Sequence, residues 1–343
     1  NAPGPTLTIM IKENGGGRLG WTWLGTVGNS RVVGSGDIDL GANADSFAHG
    51  LINGCPGFSK DDFRSRMRGV GTAIWMASPL TFRNAYASYA KKIGANFPIQ
   101  FASDDPYVPW EMMLPQVDGM TLDHLFLQHP VARWPLSQSG AMRSTLPTGN
   151  IFSFVPEYSD GDTLPTAKTE SDWIVATLNA KQMEATRAGF LTLIGGTSNE
   201  MVSIIHFAGH GRADSGQRDG GIRMTDGWVY VDDVNQGGVT IGERDGTFLV
   251  LNACEASSQE TLLGTNAGWG AAIAARGFGG MMAPLWAVQD RLALPMIQSF
   301  LPGFVVEREA LGEALRKARL SHADHSVASF AYLAHGDVMS RLV

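Results

Sequence analysis

Two runs in the second half of the chain, Val202-Ser-Ile-Ile-His-Phe-Ala-Gly209 and Thr247-Phe-Leu-Val-Leu-Asn-Ala253, are apolar almost without alternation. A strand with one face in water alternates apolar and polar residues. Short runs that lack that period predict strands covered on both faces, as in a parallel sheet sandwiched between helices. Ligands in such sheets gather at the carboxyl ends of the strands. The first run leads into His210-Gly211 and the second into Cys254-Glu255. If the two strands are neighbours, an imidazole and a thiol emerge at one edge, as a cysteine nucleophile and its base require.

The rest of the pattern supports an α/β chain of two ordinary domains or one large one, since 343 residues supply ample core. A strand is predicted over Thr6–Lys12, then a β-like stretch from Trp21 to Val33. Ser59 begins a capping-box pattern, and Phe63, Met67, Val70 and Ile74 follow at helical spacing. Pro79 suits the first turn of a second helix, with Phe82, Tyr86, Tyr89 and Ile93 on one face and Gly94 as its cap. The Ser-, Pro- and Gly-rich stretch from Pro135 to Gly149 is the best boundary, dividing the chain into 1–145 and 146–343. Beyond it come a strand at Ile151–Val155 and a helix from Ser171 carrying Ile174, Leu178 and Met183. A small-residue helix ends at Gly277, and a strand follows at Met281–Val288. An amphipathic helix covers Glu307–Arg319, and a last short strand begins at Phe330. Strands alternating with helices imply a mostly parallel sheet flanked by helices.

Composition removes several function classes. The net charge is −7 and no Lys/Arg cluster interrupts it, which argues against a nucleic-acid surface. Apolar runs such as Met281–Val288 fall far short of the roughly 20 residues a spanning helix needs, so no membrane association is expected. With only Cys55 and Cys254, a disulfide framework is excluded and a reducing, cytoplasmic setting is expected; Cys55 reads as structural. The opening Asn1-Ala2 resembles an expression remnant, so an excised domain is expected. Gly15-Gly-Gly-Arg-Leu-Gly20 matches G-x-G-x-x-G in form, yet the residues after it read as β where a dinucleotide site needs a helix; a hairpin turn is expected. Two cysteines cannot close a structural zinc site, and the acidic turns at Asp160–Asp162 and Asp232-Asp233 lack calcium-loop spacing. No metal and no cofactor are therefore assigned.

The chemistry rests on His210 and Cys254. A thiolate is the nucleophile, and a neighbouring imidazole can generate it and later protonate the leaving amine. Gly211, lacking a β-carbon, would let its N–H approach a carbonyl and, with the N–H of Cys254, form an oxyanion hole. Taken singly, a buried Cys or His is more often structural; the pairing at equivalent strand ends is what favours catalysis. His206, inside its run, reads as a core residue. Asn252 alternates with Cys254 and reads as structurally satisfied. Glu255 would narrow the substrate cleft or be a solvated loop acid, Asp214 is by default a turn residue, and Trp286 is either a subsite wall or core.

An ordered set of motifs then resembles a known family. His206-Phe-Ala-Gly-His210-Gly211, Leu251-Asn-Ala-Cys254-Glu255, the helix ending at Gly277, Leu285-Trp-Ala-Val-Gln-Asp290, Glu313-Ala-Leu-Arg-Lys-Ala-Arg319 and Tyr332-Leu-Ala-His-Gly-Asp337 are similar, in order, to the CHAT family of caspase-like cysteine peptidases. Asp105-Pro-Tyr-Val-Pro-Trp-Glu111 resembles the segment preceding the catalytic half in that family. The resemblance implies a caspase-hemoglobinase-like fold, a non-catalytic pseudo-caspase unit before the active one, and a His210/Cys254 dyad cutting a protein or peptide substrate. It also implies a regulated effector in bacterial defence or programmed death, with an activating sensor or helical-repeat partner. In separase-like relatives the position of Asp290 contacts a basic P1 residue, so Asp290 is a candidate specificity residue; capping the helix near Leu292 is the competing role. A catalytically idle, protein-binding scaffold is the alternative reading of the whole.

Overall fold

The computed structural model describes residues 4–27, 30–57, 60–136, 140–158, 163–212, 220–253, 263–322 and 327–343. In chain order the strands are β1 (Leu7–Glu13), β2 (Arg18–Val27), β3 (Ser30–Asp39), β4 (Ile99–Ser103), β5 (Val131–Pro135), β6 (Thr145–Leu146), β7 (Asn150–Phe154), β8 (Lys181–Met183), β9 (Val202–Gly209), β10 (Gly211–Arg212), β11 (Gly221–Met224), β12 (Gly227–Tyr230), β13 (Phe248–Ala253), β14 (Gly280–Pro284), β15 (Tyr332–Gly336) and β16 (Arg341–Leu342). The helices are α1 (Ala44–Ile52), α2 (Lys60–Ala77), α3 (Leu80–Ile93), α4 (Leu125–Gln128), α5 (Pro165–Leu178), α6 (Arg187–Ile194), α7 (Val231–Val234), α8 (Ile241–Asp245), α9 (Leu263–Ala275), α10 (Asp290–Leu301), α11 (Leu311–Ser321) and α12 (Val327–Ala331).

Eleven of the described strands make one sheet, ordered β3-β2-β1-β4-β5-β15-β14-β13-β9-β7-β8. It consists of two parallel blocks of opposite direction. β1, β4, β5 and β15 run one way, while β14, β13, β9, β7 and β8 run the other. They meet at the antiparallel β14–β15 seam, and β2 and β3 extend the first block as antiparallel strands. The fold is thus mixed α/β with a mostly parallel sheet flanked by helices, as expected.

Every residue of β9 and of β13 is buried, which is why neither run alternates. The two faces feed separate cores. Ile204, Phe248 and Val250 pack with Ile174 of α5, Ile297 of α10 and Leu315 of α11. Ile205, Phe207, Leu249 and Leu251 pack with Phe190 of α6, Val234 of α7, Ile241 of α8 and Ile273 of α9. The small residues of α9 let it lie close to the sheet: a Cβ on Gly270 would come within 2.7 Å of His335 Nδ1 in β15.

The Asp105–Glu111 motif is a structural lock at the far side of the sheet. Asp105, just after β4, accepts the N–H groups of Tyr107 and Val108 and the indole N–H of Trp110. Glu111 holds Arg133 of β5 through Nε at 2.5 Å and a second nitrogen at 2.6 Å, and Arg133 also donates to the carbonyls of Pro106 and Val108. A bidentate pair with its remaining donors satisfied is the arrangement in which a buried ion pair is tolerable. Arg319 of α11 is also buried and donates to the carbonyls of Phe126 and Tyr332.

Some expected elements differ. α5 begins at Pro165 and stops at Leu178, because Asn179 takes a left-handed conformation (φ 53°); Met183 therefore belongs to β8 and not to the helix. Ile93 is 41 % exposed, so the buried face of α3 is Phe82, Tyr86 and Tyr89. Pro79 stands one position earlier than expected, at the N-cap. Arg308 is left-handed (φ 54°), which delays α11 to Leu311, and Phe330 lies within α12, so the last strand begins at Tyr332, two residues later than expected. The glycines at 15–17 form the β1–β2 turn. Ser59 and Asp160–Asp162 lie outside the described residues.

Candidate active site

β9 and β13 are parallel neighbours, with Asn252 opposite Ala208 and Ala253 opposite Gly209. The next residues along the chain are His210 and Cys254. Cys254, Glu255 and Asp214 lie outside the described residues. His210 is buried, at 7 % exposure.

A tyrosine not singled out from the sequence holds His210. The backbone N–H of His210 donates to Tyr158 Oη at 3.0 Å, and that hydroxyl donates to the carbonyl of Arg223 at 2.8 Å. The N–H of Arg223 in β11 donates to the carbonyl of His210 at 2.9 Å. His210 and Arg223 thus face each other one step before the Gly211–Ile222 pair of the β10–β11 ladder. One of their two ladder bonds is direct; the other passes through the tyrosine hydroxyl. The Tyr158 and His210 rings are 4.5 Å apart at 40°, and the Arg223 guanidinium lies 5.0 Å over the Tyr158 ring.

The two glycines around His210 have separate reasons. A Cβ on Gly209 would lie 2.6 Å from the Tyr158 hydroxyl and 2.6 Å from the tip of Phe207. A Cβ on Gly211 would lie 2.6 Å from that of Ala253, the residue before Cys254. Both distances are far inside van der Waals contact, so Gly-His-Gly is a packing requirement of this strand end. In an antiparallel ladder, hydrogen-bonded and non-hydrogen-bonded pairs alternate. Since His210 and Arg223 form the bonded pair, the N–H of Gly211 turns away from β11.

Beneath the strand ends runs a buried polar chain. Glu170 of α5 accepts from His206 Nε2 at 2.7 Å and from Asn252 Nδ2 at 3.0 and 2.8 Å. His206 Nδ1 pairs with Ser153 Oγ at 3.0 Å, and Tyr332 donates to Asn252 Oδ1 at 2.6 Å. The chain ties α5, β7, β9, β13 and β15 together two residues before Cys254. Glu170 was findable: in α5 it lies on the buried face with Ala167, Ser171 and Ile174, a carboxylate on an otherwise inward helical stripe. Tyr158, in a loop after β7, had no periodic signal.

The remaining candidates sit apart. Trp286 is fully buried, its indole N–H donating to the Val327 carbonyl and its ring edge-on to Phe63. It lies in the core in this conformation. Asp290 is the first residue of α10 and accepts the N–H of Thr166 in the first turn of α5 at 2.7 Å, so it caps a different helix from the one expected. A cavity of about 280 Å³ opens between the ends of β7 and β8 and the start of α5, with Tyr158, Glu157, Leu164, Lys168 and Gln182 in its walls. Among the described residues no three His, Cys, Asp or Glu side chains gather as a metal site. No helix among them is long and apolar enough to cross a membrane.

Residues 106–332, about two thirds of the chain, match the CHAT domain. No curated protein matches by sequence. Among solved structures, the fold resembles that of Saccharomyces cerevisiae separase in two separase–securin complexes, with TM-scores of 0.56 and 0.54 and 11 % identity in each, covering 96 % of this chain and 30 % of that one. The Arg-specific cysteine proteinase gingipain R aligns with a TM-score of 0.47 and 9 % identity over 78 % of this chain and 69 % of that one. This chain therefore spans about 30 % of the length of the separase chain.

Proposed function

We infer that this chain, which belongs to the CHAT domain family, is a cysteine endopeptidase working through His210 and Cys254. The observation that carries the reading is the β9–β13 register, in which the residues just before His210 and Cys254 stand opposite each other. Cys254 would give its proton to His210 and attack the scissile carbonyl. As the tetrahedral intermediate collapses, the C–N bond breaks, His210 returns the proton to the departing amine, and a thioester remains. Water, deprotonated by His210, then hydrolyses that thioester. The N–H groups of Gly211 and Cys254 would bind the oxyanion, each such donor contributing about 10²–10³ in rate. The outward turn of the Gly211 N–H supports this role.

Substrate is proposed to be a protein or peptide, with Glu255 at the cleft and Asp290 favouring a basic P1 residue. Asp290 is partly exposed while engaged with Thr166, which leaves it near solvent at the head of α10. We further assign residues 1–145 to a non-catalytic caspase-like unit and 146–343 to the catalytic one, a division supported by the two opposed strand blocks apart from β15, which returns from the second unit to run with β5. A cytoplasmic, regulated effector role in bacterial defence or programmed death, with a protein partner or sensor as activator, extends the family resemblance. The likeness to a separase–securin complex supports a protein partner in particular.

A fluorogenic peptide panel scanned at P1 tests the reading on wild type, Cys254→Ala and His210→Ala. Both variants should lose activity by at least about 10³-fold. Equal cleavage by wild type and Cys254→Ala would end the assignment and leave the idle scaffold. An apolar P1 preference would remove Asp290 from it.

A further inference from the structure

We propose that the Tyr158 hydroxyl is a wedge that sets the position of the catalytic base, making Tyr158 a positioning residue for His210. The proposal rests on the peptidase reading only in naming His210 as base. Its grounds are geometric. A hydroxyl has been inserted into an antiparallel ladder at the His210–Arg223 pair, in place of one of its two direct bonds. It accepts from the N–H of His210 at 3.0 Å and donates to the carbonyl of Arg223 at 2.8 Å. The neighbouring strands obey the ordinary register on both sides of it, Ala253 with Gly209 and Gly211 with Ile222. The sequence also makes room for it, because the position that a Cβ of Gly209 would occupy lies 2.6 Å from that hydroxyl.

The consequence is a held-open gap. A direct N–H···O=C bond spans about 2.9 Å, whereas the bridged path spans two hydrogen bonds, so closing the ladder would draw the His210 backbone nitrogen toward the Arg223 carbonyl by roughly 2 Å, pivoting on the direct bond that already holds the His210 carbonyl. Misplacement of a reacting group by about 1 Å can cost around 10²-fold in rate. Local irregularities that re-aim a side chain are a known use of disrupted ladders beside active sites. The ring contact, 4.5 Å between centroids, fixes the imidazole as the hydroxyl fixes its backbone.

The mechanism separates position from stability. In Tyr158→Phe the ring remains and the ladder can close, so the two backbone groups find each other and little stability is lost. The variant should keep a melting temperature within about 3 °C of wild type, with kcat reduced about 10–100-fold and KM within about twofold. Gly209→Ala keeps the tyrosine but displaces its hydroxyl and should reproduce the kcat loss. Alkylation of Cys254 by iodoacetamide, followed at the Cys254 peptide by mass spectrometry, should slow about tenfold or more in both variants, because it reads the base without any peptide turnover.

Wild-type kcat and alkylation rate in Tyr158→Phe would overturn the wedge. So would loss of activity in both variants only in proportion to loss of folded protein, since that describes a merely structural tyrosine. Should wild type cut no peptide, the peptidase reading fails by itself. The alkylation comparison still decides the wedge.

Discussion

Glu111→Ala should be among the most damaging substitutions outside the proposed catalytic edge. Glu111 is 2 % exposed and Arg133 5 %, and the carboxylate takes two of the guanidinium nitrogens at 2.5 and 2.6 Å. Removing it leaves a buried cation with only the carbonyls of Pro106 and Val108 and the nearby Asp105 charge. Breaking a buried pair from one side costs about 3–5 kcal/mol. At roughly 2.1 cal/mol/K per residue of unfolding entropy, 343 residues give about 0.7 kcal/mol/K, so the melting temperature should fall by about 4–7 °C. Differential scanning calorimetry of Glu111→Ala, Arg133→Met and the double variant measures it. The double variant should be more stable than either single one, because no uncompensated charge remains. Below the melting temperature, peptidase kcat should be unchanged, since β4 and β5 run opposite to β9 and carry this lock to the other edge of the sheet. A fall of less than about 1 °C, or a double variant worse than both singles, would refute the account of the motif as a lock.

Stability should decrease as the solution is acidified below neutrality. Burial pushes His129 and His335 down to about 3, so each stays neutral in the fold while its unfolded counterpart gains a proton below about 6.5. Burial pushes Asp105 up to about 6 against the N–H groups and the Arg133 charge that favour its anion, which binds one proton in the fold between about 6 and 3.8 and opposes the trend. Near pH 5 the unfolded chain therefore holds two extra protons from the histidines and one fewer from Asp105, a net of one. Stability should fall by about 1.4 kcal/mol per pH unit there, and urea unfolding from pH 6 to 4.5 should show it; a flat profile contradicts it. Gly211→Ala forces its Cβ against that of Ala253 and should cost about 1–3 kcal/mol along with at least tenfold in kcat, while wild-type kinetics would remove Gly211 from the oxyanion site. Glu170→Gln turns an amide donor toward His206 or Asn252 and should destabilise by about 1–3 kcal/mol in urea titration. A change under about 0.5 kcal/mol would mean the chain re-forms without the carboxylate.

The legible part of this molecule was its periodicity. Uninterrupted apolar runs named β9 and β13, and their parallel pairing follows from burial on both faces. Helical spacing found α2 and α3, and turn chemistry found the β1–β2 hairpin. Two boundaries were missed where one residue's backbone decided them, left-handed Asn179 and Arg308, and a third at Phe330, which is helical. Neither left-handed residue is glycine; Asn179 is of the type that next most readily takes this conformation at a helix end, whereas nothing marked Arg308. The meeting of the two strand blocks at β14–β15 was not legible either, because strand order is set by which faces need cover and leaves no local trace. At the site, Gly209 and Gly211 were visible as small residues beside His210, but the partners that require them, Tyr158 and Ala253, are distant or featureless in sequence. Asp290 read as a candidate P1-specificity residue, with capping the helix near Leu292 as the competing role; it caps α5 instead, a helix that begins more than a hundred residues earlier in the chain.

The central claim is an organised dyad at the end of β9 and β13. A peptidyl acyloxymethyl ketone at concentrations near that of the protein, with tryptic mapping of the adduct, tests it most directly. The account predicts rapid modification of Cys254, none of buried Cys55, and loss of labelling in His210→Ala. Slow modification of Cys254 at the same rate in wild type and His210→Ala would contradict it.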